Sequence, residues 1–131
     1  MSLETSHVME VAEFRESLRR FLRQSERVAR QCGLTPQRYL LLLMIKGARD
    51  GTEQSTVTEL AERLQLAQST VTELVSRAED AGLVARAQSQ SDARVAHLRL
   101  TPAGEERLER AFTSLGTERA QLRDAYDELD V

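Results

Sequence analysis

Between Gln68 and Arg77 the chain sets Gln68, Ser69, Thr70, Thr72, Glu73, Ser76 and Arg77 around Val71, Leu74 and Val75. Apolar residues at steps of three and four mark one buried stripe of a helix, so the polar set occupies its outer face. These side chains suit recognition by hydrogen bonding rather than bond breaking. Gln can pair bidentately with adenine. Ser and Thr can bond bases or phosphates, and the Thr methyl suits thymine. Glu can accept from the cytosine amino group. Arg77, further along, is better placed for a phosphate. The same residues would also serve merely to solvate an exposed helix, and this segment alone leaves both readings open.

A second group follows at Arg86, Asp92 and Arg94. Leu83–Ala87 and Val95–Leu100 are short runs around the polar stretch Gln88–Arg94, and in the second run Ala96, Leu98 and Leu100 alternate with His97 and Arg99. That is a hairpin with one buried face. Arg86 falls on the first strand, Arg94 follows the tip, and Asp92 stands two residues before Arg94. An arginine at a hairpin tip fits a narrow minor groove, where phosphate potential is focused, and a nearby carboxylate can hold its rotamer. The plain alternative is a solvated hairpin with an incidental ion pair. Helix and hairpin in series favour duplex DNA.

The elements that must position these residues are legible from punctuation. Thr56-Val57-Thr58-Glu59 is a capping-box pattern that opens a short helix with Leu60, Ala61 and Leu64 inward. Leu66-Ala67-Gln68 reads as a tight turn, and the second helix runs to about Ala81 before Gly82 stops it. Thr56 to Gly82 is therefore helix, turn, helix, with the hairpin as a wing after it. Upstream, a helix from about His7 to Gln31 carries Val8, Val11, Phe14, Leu18, Phe21, Ser25 and Val28 on one stripe, and Gly33 ends it. At roughly 37 Å it is longer than its own core needs, which favours a helix shared with a second subunit. Thr35-Pro36 opens a helix that is apolar on every side from Tyr39 to Ile45, a buried central post ending near Asp50-Gly51. Thr101-Pro102 opens another with Leu108, Ala111, Phe112 and Leu115. Gly116 breaks that helix, and Thr117 caps a last one with Leu122, Tyr126 and Leu129.

Composition narrows the function classes. A chain of 131 residues is one domain's worth,. Net charge is −3, which argues against coating nucleic acid by bulk charge. The acidity sits in residues 102–131, with four Arg against eight acids, while residues 35–101 balance eight against eight. A neutral reading module must place its few arginines well. The lone Cys32 rules out an intrachain disulfide framework and points to a reducing cytoplasm. The apolar run Tyr39–Ile45 is too short to span a bilayer, and the N-terminus does not read as a secretory signal. His7 and His97 lie far apart, with no metal-ligand spacing. There is no Ser/His/Asp set and no phosphate cradle, so neither an enzyme nor a cofactor is expected.

The stretch TVTELAERLQLAQSTVTELVSRAEDAGLVARAQSQSDARVAHLRLT, Thr56 to Thr101, resembles the winged helix-turn-helix of the MarR (multiple antibiotic resistance regulator) family. Three pieces carry the resemblance by their order and spacing: Ser69-Thr70-Val71-Thr72 through Leu74-Val75; Glu79-Asp80-Ala81-Gly82-Leu83-Val84; and Asp92-Ala93-Arg94 followed by Leu98-Arg99-Leu100-Thr101-Pro102-Ala103-Gly104. The flanking helices fit the family layout. The resemblance implies a mainly α fold with a β-hairpin wing, a single domain over 1–131, dimerisation helices in 1–34 and 102–131, and a DNA-binding part in 35–101. It implies a cytoplasmic homodimer whose recognition helices enter successive major grooves of a pseudo-palindrome, with half-sites about 34 Å apart, and whose Arg94 reaches the minor groove with Asp92 holding it or its neighbours. Family members are usually repressors released by a small-molecule effector or by thiol oxidation. Cys32 is the one candidate for the latter, set against a passive thiol, and the effector-binding residues stay unassigned.

Two positions depart from the family pattern. Ala67 stands where a capping Ser is common, at a cost of about 1 kcal/mol, and Glu73 stands where a basic residue is common. The segment after Gly104 is also short. Two other function classes stay open at this point: a winged-helix protein-interaction module whose acidic tail docks a basic partner, and a small hydrolase.

Overall fold

The computed structural model of the chain describes residues 2–88 and 94–129. Its elements are α1 (Thr5–Gln31), α2 (Pro36–Lys46), α3 (Val57–Leu64), α4 (Gln68–Asp80), β1 (Val84–Gln88), β2 (Ala96–Leu100), α5 (Pro102–Ser114) and α6 (Gly116–Asp127). This is the expected mainly α architecture with a two-stranded antiparallel hairpin.

Local chemistry sets most of the boundaries. Helix α1 closes with the Leu34 N–H on the Ala29 carbonyl at 2.9 Å and the Gly33 N–H on Arg30 at 3.0 Å. Leu34 is buried there, as commonly accompanies this kind of helix ending. Thr35 accepts from the Arg38 N–H at 3.1 Å, with Pro36 at the first helical position,. At α3 the capping box is complete: the Thr56 hydroxyl accepts from the Glu59 N–H at 3.2 Å, and the Glu59 carboxylate accepts from the Thr56 N–H at 3.0 Å,. Thr101 and Pro102 repeat the Thr-Pro opening at α5.

Three readings of the sequence are corrected. Helix α2 stops at Lys46 rather than near Asp50-Gly51. The Gly47 N–H closes on Leu43, and the Asp50 carboxylate then takes the Thr52 N–H at 3.0 Å and its hydroxyl at 2.7 Å. Such a side-chain turn competes with helix continuation. Helix α2 is also not buried on every side, because Leu40 points outward with 41% of its surface exposed. Finally, Thr117 caps nothing: α6 begins at Gly116, directly after the Leu115 turn that ends α5.

Helix α2 is nevertheless the central post. It packs against α1, α3, α4, α5 and β2. Leu41, Leu42 and Ile45 are fully buried among Leu60, Val71, Val75, Ala78 and Leu98. Burying each such side chain contributes about 1.5–3 kcal/mol. The hairpin pairs Val84 with Leu100 and Arg86 with Leu98. On the other edge of β2, buried Ser55 exchanges both backbone hydrogen bonds with Leu98, at 3.0 and 2.8 Å. That single-residue third strand seats the wing on the loop before α3.

At the other end of the molecule α1 packs on α6. Phe14 and Tyr126 meet edge to face at 6.0 Å, and Arg119 lies over the Phe112 ring at 3.8 Å. The start of the α1 stripe is uncovered: Val8 and Val11 are each about half exposed.

Candidate nucleic-acid interface

Helix α4 buries Val71, Val75 and Ala78 and exposes Gln68, Ser69, Thr70, Thr72, Glu73, Ser76 and Arg77. All seven polar residues singled out in the sequence therefore lie on one outward face. Around an α-helix of 3.6 residues per turn, Ser69, Glu73, Ser76 and Asp80 fall opposite the buried stripe and form its crest. Gln68 and Thr72 flank the crest on one side, Thr70 and Arg77 on the other. Asp80 was not singled out from the sequence, although its spacing from Ser76 and Glu73 continues the crest.

Both ends of α4 are shaped by its neighbours. Ala67 occupies the N-cap position in an extended conformation and offers no side-chain acceptor. The Gln68 side chain instead reaches back to the Thr58 hydroxyl of α3 at 3.4 Å. At the far end the Leu83 N–H bonds Ala78 at 3.0 Å and the Gly82 N–H bonds Glu79 at 2.9 Å. This ending needs Gly82 at φ +75°, which glycine adopts without strain,.

The wing is fixed to this helix end by three contacts. The Thr101 hydroxyl donates to the Gly82 carbonyl at 2.6 Å while accepting from the Gly104 N–H at 3.1 Å. The Thr101 N–H bonds the Leu83 carbonyl at 3.0 Å. Gly104 lets α5 pass so close that a Cβ there would stand 2.2 Å from the Leu83 oxygen. Strand register, helix end and α5 are thus locked at one corner.

Two cations of this surface are held by carboxylates of α4 itself. Arg77 donates to Glu73 one turn before it, at 2.5 Å, with both side chains about two-thirds exposed. Arg86 is paired opposite Leu98, and its Nε donates to Glu79 at 2.8 Å. That pair crosses the Gly82 turn, and nothing in the local spacing of the chain announces it. Arg94 is exposed two residues before β2. Asp92, read from the sequence as its holder, lies outside the described residues.

The other candidates are quickly placed. Cys32 is a free thiol, buried at 8% exposure beside α5. A reactive thiolate needs an open, electropositive site, so burial favours the passive reading. Among the described residues no group of three His, Cys, Asp or Glu is placed to hold a metal ion, and no helix is long and apolar enough to cross a membrane.

Comparison with known proteins agrees with this geometry. The MarR family model matches residues 33–95, from the turn after α1 to the residue before β2. A MarR family protein from Bacillus stearothermophilus is 25% identical, with a TM-score of 0.72 over 98% of this chain and 86% of that one. AbsC, a MarR family transcriptional regulator from Streptomyces coelicolor, is 22% identical, with a TM-score of 0.71 over 100% of this chain and 85% of that one. A mutant of MepR from S. aureus, solved bound to an oligodeoxyribonucleotide, is 25% identical, with a TM-score of 0.68 over 92% and 81% of the two chains. No curated protein sequence matches the chain. Family match and fold together give the chain a winged helix-turn-helix fold similar to that of MarR family transcription regulators.

Proposed function

We propose that the chain is a homodimeric transcription regulator, acting as a repressor in the cytoplasm, that binds pseudo-palindromic duplex DNA through α4 and the wing. The observation that carries this reading is the outward polar face of α4, beside a hairpin pinned to the same helix end. A helix of this kind lies in the major groove with its first turns toward base edges. Gln68, Ser69, Thr70, Thr72 and Glu73 supply donors and acceptors there, Ser76 and Arg77 follow toward the backbone, and Arg86 and Arg94 belong to the wing. The MepR neighbour solved with an oligodeoxyribonucleotide supports duplex DNA as the partner.

The dimer is supported by the uncovered apolar surface at the α1 and α6 end. Val8, Met9 and Val11 of α1 and Tyr126 of α6 are each about half exposed or more. A second copy would cover this apolar set. An effector would act between the dimer and winged parts. A groove of about 440 Å³ between α2 and α5, lined by Leu43, Lys46, Leu108 and Phe112, is large enough for a small molecule.

The test is duplex binding as a function of salt, with Arg94→Ala beside the unaltered protein. Affinity that falls steeply between about 50 and 200 mM salt, and is clearly weakened by the substitution, is the expected result. Affinity that hardly varies with salt would favour a protein-interaction module instead.

A further inference from the structure

We infer that Glu73 determines specificity by holding Arg77 in the free protein and releasing it only on a duplex that satisfies the Glu73 carboxylate; this rests on the DNA-binding reading above. Glu73 sits on the crest of α4, where base edges would face it, and Arg77 lies one turn on along its flank. Their ion pair is solvent-exposed, so it is worth little and exchanges readily. A phosphate competes well for Arg77, because its guanidinium grips phosphate bidentately. Losing Arg77 leaves Glu73 an uncompensated anion pushed toward the groove. A base amino group, such as cytosine N4, neutralises that cost by donating to the carboxylate. Where only acceptors face it, the carboxylate is desolvated without a partner and repelled.

The second pair, Glu79 with Arg86, places another carboxylate on a second cation of the same surface. Asp80 adds a further exposed anion on the crest. The module is therefore electrically restrained before DNA arrives, in keeping with the equal counts of basic and acidic residues in 35–101. On arbitrary sequence the phosphate contacts of Arg77 and Arg86 each displace a carboxylate, and the freed Glu73 then faces the groove without a donor, which weakens binding.

The experiment compares the full chain with Glu73→Gln, Arg77→Gln and the double variant. The first probe is a duplex of arbitrary sequence, about three helical turns long, across about 50 to 200 mM salt. Both substitutions lie on the exposed face and leave the buried stripe intact. The expected result is that Glu73→Gln binds this duplex roughly fivefold to tenfold more tightly, with a salt slope steeper by about one phosphate contact per protomer. The gain disappears when Arg77 is also replaced. In selection from a random duplex pool, sites chosen by Glu73→Gln should shift from cytosine toward adenine at the facing position.

An unchanged affinity and slope for Glu73→Gln would overturn the inference while leaving DNA binding in place. So would an equal gain in the Arg77→Gln background, which would reduce Glu73 to a general negative charge. If the unaltered protein selects no duplex from the pool and none of the four proteins binds the arbitrary one, the DNA-binding reading falls, and this inference with it.

Discussion

The Thr101 hydroxyl donates to the Gly82 carbonyl at 2.6 Å, joining the residue after β2 to the turn that ends α4. One side chain thus bridges the helix that faces outward and the wing beside it, and caps α5 as well. The mutual placement of the two proposed DNA-contacting elements depends on that bridge.

Thr101→Ala removes the cap and leaves the Gly82 carbonyl without this donor. The expected loss of stability is about 1–3 kcal/mol, read as a lower urea midpoint at unchanged slope. Thr101→Ser keeps the hydroxyl and should recover most of it. Equal midpoints for Ala and Ser would contradict the bridging role.

Ala67→Ser places a hydroxyl where α4 has no side-chain cap. The N-cap backbone is already extended, so the new oxygen can accept from the first turn without rearrangement. Stability should rise by about 1 kcal/mol, with chemical denaturation as the check. No gain would mean that the first-turn N–H groups of α4 lose nothing by lacking a side-chain acceptor.

Alkaline stability should depend on Tyr39. Burial raises the ionisation of its phenol above the ordinary value of 10.0, with Arg119 pulling it down and Cys32 pushing it up. The folded chain therefore holds this proton more tightly than the unfolded one. That contribution is fully present below about pH 10 and is lost as pH rises through the raised value in the fold. Above about pH 10 the urea midpoint of Tyr39→Phe should fall less steeply than that of the unaltered protein. Parallel curves would remove Tyr39 from the account.

The exposed stripe on α1 gives a test of assembly. The unaltered chain should sediment at twice its 14.8 kDa mass. Val8→Glu combined with Val11→Glu puts charges where a partner would bury apolar surface, and should sediment at the monomer mass at micromolar concentration. A monomeric unaltered protein would remove the paired-groove geometry.

The parts of this fold that follow local rules were legible in the chain. The Thr56–Glu59 box, the two Thr-Pro openings and the stop at Gly82 each act within four or five residues, and each stands where it was read. The outward face of α4 followed from the spacing of Val71, Leu74 and Val75. What escaped reading depends on partners far along the chain. Ser55 pairs with Leu98 as a single residue, too short to show any alternation. Arg86 meets Glu79 only because the Gly82 turn brings β1 back beside α4. Leu40 stays exposed because the elements packed on α2 leave that side uncovered, which an all-apolar run does not reveal. The early end of α2 reflects the side-chain turn at Asp50, which offers the backbone an alternative to another helical turn.

The most direct test of duplex reading by α4 and the wing is a footprint of the protein on its preferred genomic site. Two protected major-groove segments on one face of the duplex, their centres about one helical turn apart and related by approximate two-fold symmetry, with protection of the flanking minor grooves, is the expected result. A single protected segment, or no discrete protection at any sequence, would contradict it.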